Sequence, residues 1–345
     1  MYKALIRPVL FLFAPEKAHH LTFKLLKIFL RIPLIKPILR SIYSVNDKKL
    51  NKNLLGLKFP NPVGLAAGFD KNALLYKELS AFGFGFIEIG TVTPKPQPGN
   101  PKPRLFRLPK DQALINRMGF NNLGVDAVVD RLKSKPDNLI VGGNIGKNTA
   151  TPNEDAANDY VYCFEKLYDY VDYFVVNVSC PNIKGLSKLQ DTDFLFELLN
   201  QLMEIRTKKS KSKPILLKIA PDLTNSQLDE VVELVTKTKI EGVIAVNTST
   251  FRDNLITPES EIEKIGNGGL SGKPLFPKSK QTIQYLRSKL PKGTVIIGVG
   301  GIFSPEDAMH LIGLGADLVQ VYTGFIYEGP SLVKKINKKI LSTNG

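Results

Sequence analysis

Cys180 stands in "NVSCPN", between a run of strand-forming residues and a proline, with Asn177 and Asn182 on either side. It could be a core filler, half of a disulfide, a metal ligand or a group that moves protons. The chain has one other cysteine, Cys163, three histidines and no CxxC spacing, which argues against a disulfide scaffold or a structural zinc site. Cys163 lies in the helical pattern "YVYCFEKL" and reads as core. Cys180, flanked by amides, reads as a proton-transfer group, with a buried structural cysteine as the alternative. Lys218 in "LLKIA" is a second signal, because an ammonium among apolar residues needs an anionic or electron-rich partner. Asn144, Asn177 and Asn247 end further apolar runs. Singly, each would be a turn or cap residue. Together they indicate a ligand site, since an unpaired buried amide costs about 1–3 kcal/mol.

The elements that carry these residues alternate. Short β-branched or glycine-rich runs fall at 62–68, 84–93, 138–146, 173–179, 214–220, 242–249, 294–301 and 318–324. Amphipathic stretches lie between them, such as "NSQLDEVVELVTKT", with Thr224 or Asn225 as its cap. Eight strand–helix repeats predict an α/β fold, a closed (β/α)8 TIM barrel, rather than two domains or an open doubly wound sheet. Active sites of such barrels form at the C-terminal strand ends. Lys71, Thr91, Asn144, Asn177, Lys218, Asn247, Gly300 with Gly301, and Tyr322 with Thr323 all fall there. The last two strand ends are the usual phosphate position, where glycines let backbone N–H groups approach. No GxGxxG follows a strand and no GxxxxGK[ST] occurs, which disfavours a Rossmann site or a P-loop.

The formal charge of +15 is uneven: residues 1–49 hold ten Lys/Arg against two acids. That segment is also apolar. Helices broken at Pro15 and Pro33 would align Leu5, Val9, Leu12 and Phe13 on one face, and His19, Phe23, Leu26 and Leu30 on the next. Its apolar runs fall short of a membrane span, so the pattern suits helices lying in an anionic membrane interface, packed on the chain's own domain, or both. Basic residues beside apolar stripes, without aromatic stacking platforms, disfavour a nucleic-acid partner.

Eight motifs in order, "AAGFDK", "EIGTVTPKPQPGNPKPRLFRL", "INRMGFNN", "NIGKN", "NVSCPN", "KIAPDL", "GGLSG" and "GVGGI", resemble the dihydroorotate dehydrogenase family. The segment with "PEKAHH" (15–20) resembles its membrane-associated, quinone-reducing class. The resemblance implies an FMN enzyme that oxidises dihydroorotate to orotate in de novo pyrimidine (UMP) synthesis. It also implies a membrane-associating, quinone-tunnel segment at 1–45 and a catalytic barrel at 46–345. It places FMN on Ala67, Gly68, Lys71, Thr91, Asn144, Asn177, Lys218, Val246, Gly272, Gly301, Tyr322 and Thr323, with only a backbone contact at Val246. Substrate would meet Lys71, Asn116, Arg117, Met118, Gly119, Phe120, Asn177, Asn182, Asn247 and Thr248, and the quinone His19, Arg107 and Tyr322. No metal is expected. A monomer on the cytoplasmic face of the cell membrane is.

Cys180 takes the family's base position, which in the quinone-reducing class is usually serine. A thiol ionises more readily than a hydroxyl, so this base should act at lower pH. Cysteine is typical of the soluble classes, which leaves fumarate as the alternative acceptor. The basic, apolar amino-terminal segment outweighs that single substitution.

Overall fold

A computed structural model of the chain describes residues 2–178 and 190–343. Eight parallel strands close into a barrel: β1 (Val63–Leu65), β2 (Phe86–Val92), β3 (Ile140–Ile145), β4 (Tyr173–Asn177), β5 (Ile215–Ile219), β6 (Gly242–Ala245), β7 (Val295–Val299) and β8 (Leu318–Val321). Each expected run holds one of them. Helices such as Ala156–Leu167, Asn225–Thr238 and Phe276–Lys289 cover the outside. Thr224, not Asn225, caps its helix, in a reciprocal capping box with Gln227.

Two-residue periodicity sends alternate strand residues inward. Phe86, Tyr173, Val175, Leu216, Ile244, Ile297 and Leu318 fill the barrel interior. The alternate set, including Ile87, Val141, Phe174 and Leu217, packs under the helices together with fully buried Cys163. Two residues further along, the inward positions turn polar. Asn177 pairs in register with Lys218, and Asn144 pairs with Val175, one layer lower.

A small antiparallel sheet of Leu105–Leu108, Ala113–Asn116 and Gly269–Gly272 rises above the strand ends. Over it lie α1 (Arg7–Phe11) and α2 (Pro15–Phe29), whereas α3 (Ile35–Tyr43) packs beside the barrel against the turn Ser80–Phe82 and the helix Ser331–Thr343. Pro15 opens α2 at a first-turn position, where a missing N–H costs nothing. The two apolar faces of this segment differ in fate. Phe23 and Leu30 are buried against the barrel, whereas Leu5, Val9 and Leu12 remain exposed, Leu12 by 85%. Ile28, Phe29, Ile32, Leu34, Ile38 and Ile42 are exposed beside them. Among the described residues no helix is long and apolar enough to cross a membrane.

Candidate active site

A cavity of about 250 Å³ opens at the C-terminal ends of the strands, roofed by the small sheet and by α2. Ala67, Gly68 and Lys71 follow β1, Thr91 and Asn177 lie in β2 and β4, and Lys218 in β5. Val246, Asn247 and Thr248 follow β6, Gly301 follows β7, and Tyr322 and Thr323 follow β8. The roof supplies Asn116, Met118, Gly119, Phe120 and Gly272. His19 enters from α2 with Phe23 and faces Phe69, ring centroids 5.6 Å apart.

Three of the expected residues do not line the cavity. Asn144 is fully buried one layer below the floor, donating to Glu88 Oε1 (2.8 Å) and accepting from Thr91 Oγ1 (2.6 Å). Arg117 turns away from the cavity, because its guanidinium binds the carbonyls of Ile265, Asn267 and Pro103 and stacks on Phe106 at 4.6 Å. Arg107 does not line the cavity either. It caps the carboxyl end of α1 through the carbonyls of Leu10, Phe11 and Phe13, the charge placement favoured at a helix C-terminus. Cys180 and Asn182 lie outside the described residues.

The glycine pair also has a packing role. A Cβ on Gly301 (φ +77°) would meet Phe276 Cβ at 2.5 Å, and one on Gly300 would clash with Ser279 Oγ. Close packing against the helix Phe276–Lys289 requires these glycines whatever occupies the cavity.

The cavity has a polar floor and an aromatic flank. On the floor, Asn177 donates to Thr91 Oγ1 (2.8 Å) and accepts from Asn247 Nδ2 (3.4 Å). Lys218 Nζ lies 3.6 Å from Glu88 Oε1. Lys71 donates to Asn121 Oδ1 (2.5 Å); burial and then the Arg104 guanidinium push its ammonium down to about 7. On the flank, burial, helped by His20 and Lys71, holds His19 down to about 4, so its imidazole is neutral near pH 7. Burial alone raises the Tyr322 hydroxyl to about 12.

Sequence reasoning missed Glu88, Gln320 and Glu16. Glu88 carries the signal that singles out Lys218, a charge between Ile87 and Ile89 inside a strand. Gln320 lies likewise between Val319 and Val321. Glu16 gives no such signal, since an acid in the first turn of a helix is ordinary.

Residues 49–343 match the family model described as dihydroorotate dehydrogenase. Along 341 residues the chain is 59% identical to a curated protein of Christiangramia forsetii named dihydroorotate dehydrogenase (quinone), with 99% of each chain covered. A protein of the same name from Coxiella burnetii is 51% identical over 339 residues, 96% of this chain and 94% of that one. Among solved structures, DHODH of Eimeria tenella in complex with ferulenol superposes with a TM-score of 0.85 at 36% identity, covering 95% of this chain and 91% of the other. Its ligand-free form gives 0.81 at 36% identity, covering 91% and 96%. The chain therefore belongs to the dihydroorotate dehydrogenase family and is an oxidoreductase.

Proposed function

We propose that this chain oxidises dihydroorotate to orotate in pyrimidine synthesis, with FMN on the cavity floor, Cys180 as the base and a membrane quinone as electron acceptor. The observation that carries this reading is one cavity with two unlike sides. Its polar floor answers a substrate and cofactor rich in amide groups. Its aromatic flank, facing the amino-terminal helices, suits an uncharged lipophilic acceptor.

The donor set fits a flavin. Thr91, Asn177 and Lys218 would hold the pyrimidine edge of the ring, Ala67 and Gly68 would lie along it, and Gly301 and Thr323 would meet the phosphate. A Cβ on Gly68 would meet nothing nearer than the Tyr322 ring at 3.4 Å, so the backbone there is open to a flat group. Bound there, FMN would supply the redox chemistry, accepting hydride from the substrate and releasing electrons to the quinone.

The chain's own residues supply position and charge. The Lys218 ammonium would stabilise the negative charge that develops on reduction. Asn116, Asn177 and Asn247 offer amides, each with donor and acceptor, to the alternating N–H and C=O groups of the substrate ring. Lys71 would meet its carboxylate, and Cys180 would remove the C5 proton. A neutral His19 leaves the aromatic passage uncharged.

Residues 1–45 would form the membrane-associating part, their exposed apolar residues entering lipid while lysines and arginines meet anionic headgroups on the cytoplasmic face. The chain would work as a monomer. The test is anaerobic: purified protein should be yellow and lose its oxidised flavin spectrum when dihydroorotate is added. Flavin-loaded, folded protein that keeps that spectrum would refute the assignment.

A further inference from the structure

Glu88 is fully buried in the middle of β2, two residues beyond Phe86 on the inward face, with Ile87 and Ile89 as chain neighbours. It does not line the cavity, and packing alone would place an apolar residue there. Its carboxylate is engaged three ways: Oε1 accepts from Asn144 Nδ2 at 2.8 Å, Oε2 accepts from Gln320 Nε2 at 2.6 Å, and Oε1 lies 3.6 Å from Lys218 Nζ. Gln320 and Lys218 both reach the cavity floor.

Both Glu88 oxygens accept from amide NH2 groups, and this fixes the direction of every bond above them. Asn144 must turn its NH2 toward Glu88, which turns its carbonyl toward Thr91. Thr91 spends its hydroxyl proton on that carbonyl (2.6 Å) and so accepts from Asn177 Nδ2 (2.8 Å). Asn177 then turns its oxygen toward Asn247, whose Nδ2 lies 3.4 Å away. One buried charge thereby sets the donor and acceptor pattern of the amides that face the ligand. The same carboxylate balances Lys218, whose only ion pair among the described residues it forms.

We propose that Glu88 is the positioning residue of this site: it orients the Asn144–Thr91–Asn177–Asn247 chain and anchors Lys218, so that it governs pyrimidine recognition and the reduction potential of the bound flavin without touching either. The inference rests on the functional reading above. Losing the carboxylate would leave the Lys218 ammonium without its counter-charge, and an unneutralised cation beside a ring that gains negative charge on reduction raises the ring's potential.

The experiment compares wild type with Glu88→Gln, Lys218→Met and the double variant. It reads flavin content, flavin midpoint potential, orotate affinity from the flavin spectrum, and thermal unfolding. Glu88→Gln should retain flavin, move the potential positive and weaken orotate binding at least ~10-fold, because the introduced amide presents an NH2 that competes with those of Asn144 and Gln320. In the Lys218→Met background the same substitution should shift the potential by less than half as much, since the carboxylate acts largely through the ammonium. If Glu88→Gln fails to fold, recovery of folding in the double variant supports the charge pair. Failure of the double variant when Lys218→Met folds reduces Glu88 to an architectural role and overturns the proposal. An unchanged potential and unchanged orotate affinity in a folded Glu88→Gln overturn it as well. Wild type without flavin, or with flavin that dihydroorotate does not reduce, overturns the functional reading itself. Flavin-competent wild type with unaltered variants overturns only the role of Glu88.

Discussion

Glu16 of α2 and Arg104, just before the roof strand Leu105–Leu108, meet at 2.7 Å, with side chains only 13% and 7% exposed. Arg104 also donates to the carbonyls of Pro98 (2.6 Å) and Asn100 (2.9 Å), and the Asn100 amide donates to the Arg117 carbonyl (2.9 Å). One guanidinium thus joins the amino-terminal helices to the roof strand that carries Asn116 and to the loop that follows it.

Removing one partner of a largely buried pair leaves the other charge uncompensated, at a cost of about 3–5 kcal/mol. Glu16→Gln should therefore loosen α2. Quinone-dependent turnover should fall at least ~10-fold while anaerobic reduction of the flavin by dihydroorotate falls much less. Stopped-flow reduction set against steady-state quinone turnover separates the two. Equal losses would mean that the pair serves the substrate loop more than the acceptor passage.

His19 makes stability depend on pH. Its folded pKa is about 4 against an ordinary 6.5, so the unfolded chain takes up the proton first as pH falls. The native state is unpenalised above about 6.5 and loses stability between 6.5 and about 4, in total on the order of 3 kcal/mol. His20 and Lys71 reinforce the depression and Glu16 opposes it. His19→Gln should flatten that part of the stability curve in thermal melts at stepped pH. A wild-type curve already flat between about pH 6.5 and 4 would contradict the burial of this imidazole.

Lys71, depressed to about 7 by burial and by Arg104, should take up a proton when an anionic carboxylate arrives. Orotate affinity should then weaken by up to ~10-fold per pH unit above about 7, and Lys71→Met should abolish that dependence along with most of the affinity. Spectral titrations between pH 7 and 9 measure both.

Leu12 and Leu34, in the turns that link the amino-terminal helices, are 85% and 73% exposed, the most of the large apolar residues in that segment. Changing both to Glu removes apolar area and adds negative charge where anionic headgroups would lie. Sedimentation with anionic vesicles should fall to background, and the salt sensitivity of wild-type binding should expose its electrostatic part. Dihydroorotate should still bleach the flavin. Undiminished sedimentation would assign membrane contact to another face.

The barrel is legible in the sequence because its strands are short apolar runs ending in polar residues, a pattern that follows from an interior packed below and chemically active above. Lys218 stands out as a charge inside such a run. Glu88 offers the same contrast, yet it lies deeper than its partner and away from a strand end, where functional residues are expected. Asn144 looks equivalent to Asn177 along the chain, but strand register puts it opposite Val175 and one layer down. Arg107 and Arg117 stay out of the cavity lining for another reason. A guanidinium reaches several ångströms from its Cα, and the carbonyls that capture these two come from segments roughly a hundred or more residues away, which no local pattern reveals.

Cys180 provides the sharpest chemical contrast, because an unperturbed thiol ionises near pH 8.5 while a serine hydroxyl needs an external partner to act as a base. Cys180→Ala should keep flavin bound yet slow anaerobic reduction by dihydroorotate by ~100- to 10,000-fold, the usual worth of a positioned base. Cys180→Ser should retain partial activity, with the rising limb of its pH profile displaced upward relative to wild type. Stopped-flow reduction across pH 6 to 10 gives both rates and limbs. If the alanine variant is reduced at a near-normal rate, another group removes the C5 proton. An unmoved limb in the serine variant would show that thiol ionisation does not control the step.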